Sequence, residues 1–540
     1  MTPFTLAVAW AERLERGTLW INADLVYQVT PTFTAHCVGG EGDGLNIRRE
    51  IWYVESLVQR GEGNVRRFGL IAAATLCALA ATSLAGAATV SAPVSVTDDQ
   101  FAANEESLGM DPSGQILMGM WNDWHFNDGC GISYSTNGGT SWAPESFAPG
   151  FTFFTNDPSV PGTGPFAVAG DPVVVYNPKS GVFDVICQSF GGVKAGQIQL
   201  LATTFDVTKA NANDPANSYG LGAWRLPAVA ITTGKSNGSQ KGSNGKFPDH
   251  EAGTVDTGTM PGHHFGRLYV AWAEFNGLGR SPIDLAYSDD DGATWTGPIR
   301  VSDAGHQFDQ DATPRVGPDG TVYVSYVNGP NEGSTKNNAA LIAKSTDGGN
   351  TWSQSYVAAP IPAPATSLPN ALYRGGTDVT STVDQHTGKV VVVYNDKSSG
   401  ALNMWAAHTA TAGDLSTFTP AQRVKASAQT QFFPWLQSAP NGRVDLVYYD
   451  RSCDTNDVLN CLTLSSSTDS GASWTHVPVT TQGFDGDTFG ACLAFVDPPD
   501  CTNFFLGDYI AVASTSAKAQ VMWTGNGSNT LDAFFASVGF

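Results

Sequence analysis

Basic side chains are scarce in this 540-residue chain, with 28 Lys and Arg against 50 Asp and Glu and a formal net charge of −22 at pH 7. Residues 88–540 alone hold 21 basic and 42 acidic residues. Such a chain repels polyphosphate and anionic lipid, so nucleic acid and membrane-surface partners are excluded. The same field disfavours capture of an anionic sugar unless a local basic patch overrides it. Cysteine is also sparse, 8 in all, and no Cys-x-x-Cys or Cys/His spacing offers a zinc site.

One long apolar run stands out, from Phe68 to Leu84. Val65-Arg66-Arg67 precede it and Ala85-Gly86-Ala87 follow, giving the basic, apolar and small-residue sections of a secretory signal. A signal of this kind belongs at an N-terminus. The expectation is that translation starts near Val65 from a GTG codon, that residues 1–64 are an artefact of the gene model, and that 65–87 are removed on export. The alternative is an uncleaved segment that anchors the protein in the membrane. Export agrees with an even number of cysteines after residue 87. Local pairing predicts Cys453–Cys461 and Cys492–Cys501, which leaves Cys130 with Cys187.

The remainder repeats. Ser345-Thr346-Asp347-Gly348-Gly349-Asn350-Thr351-Trp352 follows the apolar run Ala339-Ala340-Leu341-Ile342-Ala343. The same octapeptide pattern returns at Ser288–Trp295 around Asp290, at Ser467–Trp474 around Asp469, and at Ser135–Trp142 with Asn137 in place of Asp. The chemistry is that of a tight turn. The Asp or Asn accepts from nearby backbone N–H groups, the following Gly takes a positive φ, and the Trp carries apolar surface into the next strand. Because a catalytic group is needed once and a turn in every unit, these residues are read as structural.

These octapeptides resemble the Asp-box (BNR) repeats of the sialidase superfamily of β-propellers. The resemblance implies an all-β fold of four-stranded blades, with the boxes on the face opposite the functional site. Hairpins that begin near Glu105, Asp171, Glu251, Asp311, Asp378, Phe433 and Asp508 predict seven blades, with six as the family's own number. The last blade runs out of chain before its fourth strand. Thr89–Val96 is expected to supply it and close the ring.

In such a propeller the innermost strand of each blade lines the central axis, and its first residue sits at the channel mouth. The residues so placed are Glu105, Asp171, Glu251, Asp311, Asp378 and Asp508, with Phe433 and Trp435 in the sixth blade. Crowded carboxyls raise one another's pKa and can keep one protonated as a general acid. They could also hold Ca²⁺, although no cofactor is required by the reading. Trp124, His125, Tyr373, Trp435 and Tyr449 are expected to add aromatic surface for sugar rings.

The resemblance further implies a tyrosine nucleophile backed by Glu, an Asp acid/base and three arginines that clamp a substrate carboxylate. Tyr509 with Glu251, and Arg374 and Arg451, are the candidates for these roles. The Arg-Ile-Pro motif that usually opens the first blade in that family is missing. The sequence thus predicts an exported, monomeric, glycan-directed propeller of glycoside hydrolase type, exo-sialidase-like if it is an enzyme. The competing classes are a non-catalytic carbohydrate- or protein-binding propeller at the cell surface and a Ca²⁺-stabilised structural one.

Overall fold

The computed structural model describes residues 88–540 except 98–100, 125–128, 154–161, 192–196, 236–244, 278–279, 307, 330–337, 489–503 and 529. The proposed extension 1–64, the signal 65–87, His125 and the Cys492–Cys501 pair lie outside the described residues.

Seven antiparallel sheets form the blades. Their innermost strands are Ala103–Met110, Val168–Asn177, Lys246–Val255, Asp309–Val316, Val379–Val383, Gln431–Ser438 and Ala511–Ser514. Blades 1 to 6 each continue outward through three further strands in chain order. Blade 7 has only Lys518–Asn526 and Leu531–Gly539 after its inner strand, and Thr89–Val90 and Val94–Ser95 pair with Leu531–Gly539 from the other end of the chain. The ring closes as the sequence predicts. No helix among the described residues is long and apolar enough to cross a membrane.

The core lies between blades. Blade 5 shows why: its second strand, Val390–Asp396, is buried at every residue. Val390, Val392 and Tyr394 pack with Tyr323, Val327 and Ile342 of blade 4. Val391 and Val393 pack with Leu436 and Leu446 of blade 6. Side chains alternate between strand faces, so a strand with a blade on each side reads as a continuous β-branched run. The disulfide Cys130–Cys187 ties the third strand of blade 1 to the second strand of blade 2, and Cys453–Cys461 closes a short loop in blade 6.

The four octapeptide turns share one hydrogen-bond scheme. Gly349 N–H donates to Ser345 Oγ at 2.8 Å, and Thr351 N–H and Oγ1 donate to the two Asp347 oxygens at 2.9 and 2.6 Å. The turns at Asp290 and Asp469 repeat it, and Asn137 keeps the backbone part. The residue after each Asp or Asn also takes a positive φ: Gly138, Asp291, Gly348 and Ser470. Two of these have side chains, and both reach the first hairpin of the preceding blade. Asp291 accepts from Asn177 Nδ2 at 2.7 Å and Ser180 Oγ at 2.9 Å, while Ser470 Oγ donates to Asp384 at 2.6 Å. The turns and the first hairpins therefore share one rim. The left-handed backbone costs about 1–2 kcal/mol at a non-glycine residue, and the cross-blade hydrogen bonds offset it.

Candidate functional site: the acidic mouth of the axial channel

The seven inner strands enclose a cavity of about 230 Å³ on the axis. Its mouth is shaped by one repeated irregularity. In blades 1, 2, 3, 4 and 6 the pairing of the first two strands skips two residues. The first residue of each bulge has a positive φ: Glu105, Asp171, His250, Asp311 and Phe433. A bulge re-aims a side chain out of the pleat, and here it does so at equivalent places around the axis. Blades 5 and 7 contribute Asp378 and Asp508 from just ahead of their inner strands.

This register corrects the sequence reading in blade 3. The ring position belongs to His250, and Glu251 is the second bulge residue. In blade 1 the corresponding place is taken by Glu106, whose Oε1 accepts from Thr524 of blade 7 at 2.8 Å. Glu251 is almost fully buried. Burial, and then Asp171, push its carboxyl well above the usual range.

The mouth groups form one electrostatic unit. His250 Nδ1 lies 3.0 Å from Asp311 Oδ1, and Val379 N–H donates to Asp311 Oδ2 at 3.1 Å. Burial works against the imidazolium, but the Asp311 hydrogen bond and charge, then Asp508 and Asp249, outweigh it and raise the His250 pKa to about 9. The His250 ring stacks on Tyr509 at 5.3 Å. Arg374, from the blade 4–5 connection, reaches Asp508 with both arms of its guanidinium, Nε to Oδ1 at 2.9 Å and Nη2 to Oδ2. Its Nη2 also lies 3.9 Å from Glu105 Oε1, and it sits over the Phe505 ring at 4.5 Å.

The remaining carboxyls are held toward the protonated form. Burial raises Asp249 to about 7, with Asp171 adding to the effect. Burial also raises Glu105 and Asp171, helped by nearby Asp508. Asp378 is pushed well up by burial, then by Asp311 and Asp508, and its Oδ2 has no partner among the described residues. The Tyr509 hydroxyl is likewise unpartnered there and raised by burial and then by Asp171 and Glu105.

Other expected residues sit elsewhere. Arg451 is fully buried and donates to Asn460 Oδ1, Pro369 O, Asp457 O and the Tyr373 hydroxyl at 2.6–2.9 Å. Tyr373 is buried beside it, and Tyr449 is buried with its hydroxyl on Thr524 O at 2.7 Å. These three are in the core rather than at the mouth. Trp435 lines the cavity under the Arg315 guanidinium at 5.4 Å. Trp124 packs edge-on to Phe505 at 6.0 Å, close to Arg374. Among the described residues no group of three or more His, Cys, Asp or Glu side chains is placed to hold a metal ion.

The fold and site together define a seven-bladed β-propeller with an acidic axial mouth. No family model matches the sequence, and no curated protein does. Solved structures with similar architecture include an ulvan lyase of a polysaccharide lyase family, at 11% identity over 82% of this chain and 95% of that one, TM-score 0.45. They include the Penicillium chrysogenum α-L-arabinanase, at 12% identity over 83% and 98%, TM-score 0.42. The NanB sialidase of Streptococcus pneumoniae matches at 10% identity over 82% and 70%, TM-score 0.36. At this level of similarity no chemistry transfers from them to this chain.

Proposed function

We propose that this is an exported, glycan-directed propeller of the Asp-box type, whose channel mouth is a glycoside hydrolase-like site working through Asp378 and Asp311. The observation that carries this is the contrast between the two neighbouring carboxyls. Asp311 accepts hydrogen bonds on both oxygens, one from the His250 imidazolium. Asp378 keeps Oδ2 without a partner among the described residues, and burial and then Asp311 push its pKa well up. A carboxyl pushed toward its acid form beside a carboxylate held by two donors supplies an acid for the leaving oxygen and a base or nucleophile.

A tyrosine mechanism is less well served. The surroundings of Tyr509 raise its hydroxyl, the reverse of what a nucleophile needs. Arg451 is in the core and Arg315 in the channel wall, which leaves Arg374 as the one of these three at the mouth. Exposed Phe101, Phe308 and Leu372 lie on the connections that enter blades 1, 4 and 5 and offer apolar surface to sugar C–H faces.

The test is hydrolysis of a panel of fluorogenic glycosides, sialosides included. Asp378→Asn and Asp311→Asn should each lower kcat by about 10²–10⁴-fold while the melting temperature holds. Sugar binding without turnover would replace the enzyme with a binding propeller. Sialoside turnover abolished by Tyr509→Phe would restore the tyrosine route.

A further inference from the structure

We infer that Asp508 sets the substrate class of this site: it fills the guanidinium fork of Arg374 and so turns anionic sugars away in favour of uncharged ones. The inference rests on the glycan reading above. Arg374 extends from the blade 4–5 connection, and Asp508 stands just ahead of the inner strand of blade 7. The pair therefore ties distant parts of the ring together across the mouth. Its geometry is the two-armed one that a guanidinium makes with a free carboxylate. The Arg374 side chain is 59% exposed and Asp508 28%, so the fork is held at the entrance, where a ligand arrives.

The site around the fork reinforces the occupancy. Phe505 supports the flat face of the guanidinium, and Glu105 stands at 3.9 Å as a second carboxyl on the same arm. An incoming uronate or sialate would have to displace a carboxylate that is covalently part of the wall. The displaced Asp508 carboxylate would then stand beside the incoming one without its guanidinium partner, a like-charge pair in a partly buried place. An uncharged sugar meets none of these penalties. It can use the Asp508 and Arg374 edges as hydrogen-bond partners without separating them.

Ligand-observed NMR titrations of the full chain decide the matter, with glucose, galactose, xylose and arabinose as uncharged probes, glucuronate and galacturonate as anionic ones, and acetate as a bare carboxylate. Wild type should bind at least one uncharged sugar and reject the uronates. Asp508→Asn should gain at least about ten-fold in uronate and acetate affinity, a change of about 1.4 kcal/mol, and Arg374→Gln in the same chain should erase the gain. Asp508→Ser repeats the comparison if the Asn variant does not fold. Uronates bound equally by wild type and Asp508→Asn, with uncharged sugars still bound, would overturn the inference and leave the glycan reading intact. Acetate gained by Asp508→Asn with no sugar bound by either protein would remove the glycan reading and leave the occupied fork in place.

Discussion

Replacing Arg451 by Met should destabilise the protein and also disturb the mouth, although Arg451 does not line the cavity. The guanidinium is fully buried and makes four hydrogen bonds, with no carboxylate as partner. Met fills similar volume, so the cost comes from the acceptors left behind. Asn460 Oδ1 and the Tyr373 hydroxyl keep each other at 3.0 Å. Pro369 O and Asp457 O each lose a charged donor, at about 1.5–3 kcal/mol for a hydrogen bond of that kind. Release of the buried charge recovers part of that, which leaves about 3–4 kcal/mol. Unfolding entropy near 2.1 cal/mol/K per residue gives about 0.95 kcal/mol/K for a propeller of roughly 450 residues, so the melting temperature should fall by about 4 °C. Pro369 and Tyr373 lie on the connection that delivers Arg374, so the Arg374–Asp508 bridge should loosen as well. Differential scanning fluorimetry reads the first effect and the uronate titration the second. A shift under about 1 °C would refute the view that Arg451 holds this connection.

Three further outcomes are expected. Asp347→Ala removes the acceptor for Ser345, Thr351 N–H and Thr351 Oγ1, and should cost about 1–3 kcal/mol in denaturant titration with glycoside turnover unchanged, because its turn is on the far rim. Stability should decline from about pH 4–5 toward pH 9: Glu106 at about 8, Asp249 and Glu274 at about 7 and His250 at about 9 are all raised in the folded state, so folding binds protons that rising pH removes. A melting temperature that climbs between pH 5 and 8 would contradict this. Cys130→Ala with Cys187→Ala opens a cross-link spanning 57 residues and should cost about 4 kcal/mol by chain entropy, measured by equilibrium unfolding.

The fold was legible because its determinants are local and repeated. Four turns of one pattern, β-branched strands and a last blade short of one strand predict a closed seven-bladed ring, and the strands confirm it. The mouth was legible in part. Counting back from each hairpin finds Glu105, Asp171, Asp311, Asp378, Phe433 and Asp508, but blade 3 turns through the long loop Asp256–Arg267, which gives the count no fixed start, so it passes over His250 for Glu251. Tyr373, Tyr449 and Arg451 look like surface groups because they sit in loops or at strand ends beside polar neighbours. Their polar atoms are satisfied by residues as far as 87 positions away, and such pairing leaves no mark in the local sequence. Asp291 and Ser470 were read as turn residues, and their cross-blade bonds were equally hidden.

The sealing of blade 7 by both ends of the chain bears on the order of synthesis. Thr89–Val90 and Val94–Ser95 are made more than 400 residues before their partner strand, Leu531–Gly539, exists. The ring cannot shut until the final residues appear, so a chain cut short has two open sheet edges rather than one missing blade, and open edges invite association with other chains. Once shut, Thr89 lies opposite Gly539. Starting the chain at Thr89, joining it to Gly539 with a short linker and opening another blade connection should give a permuted propeller whose seal is continuous chain.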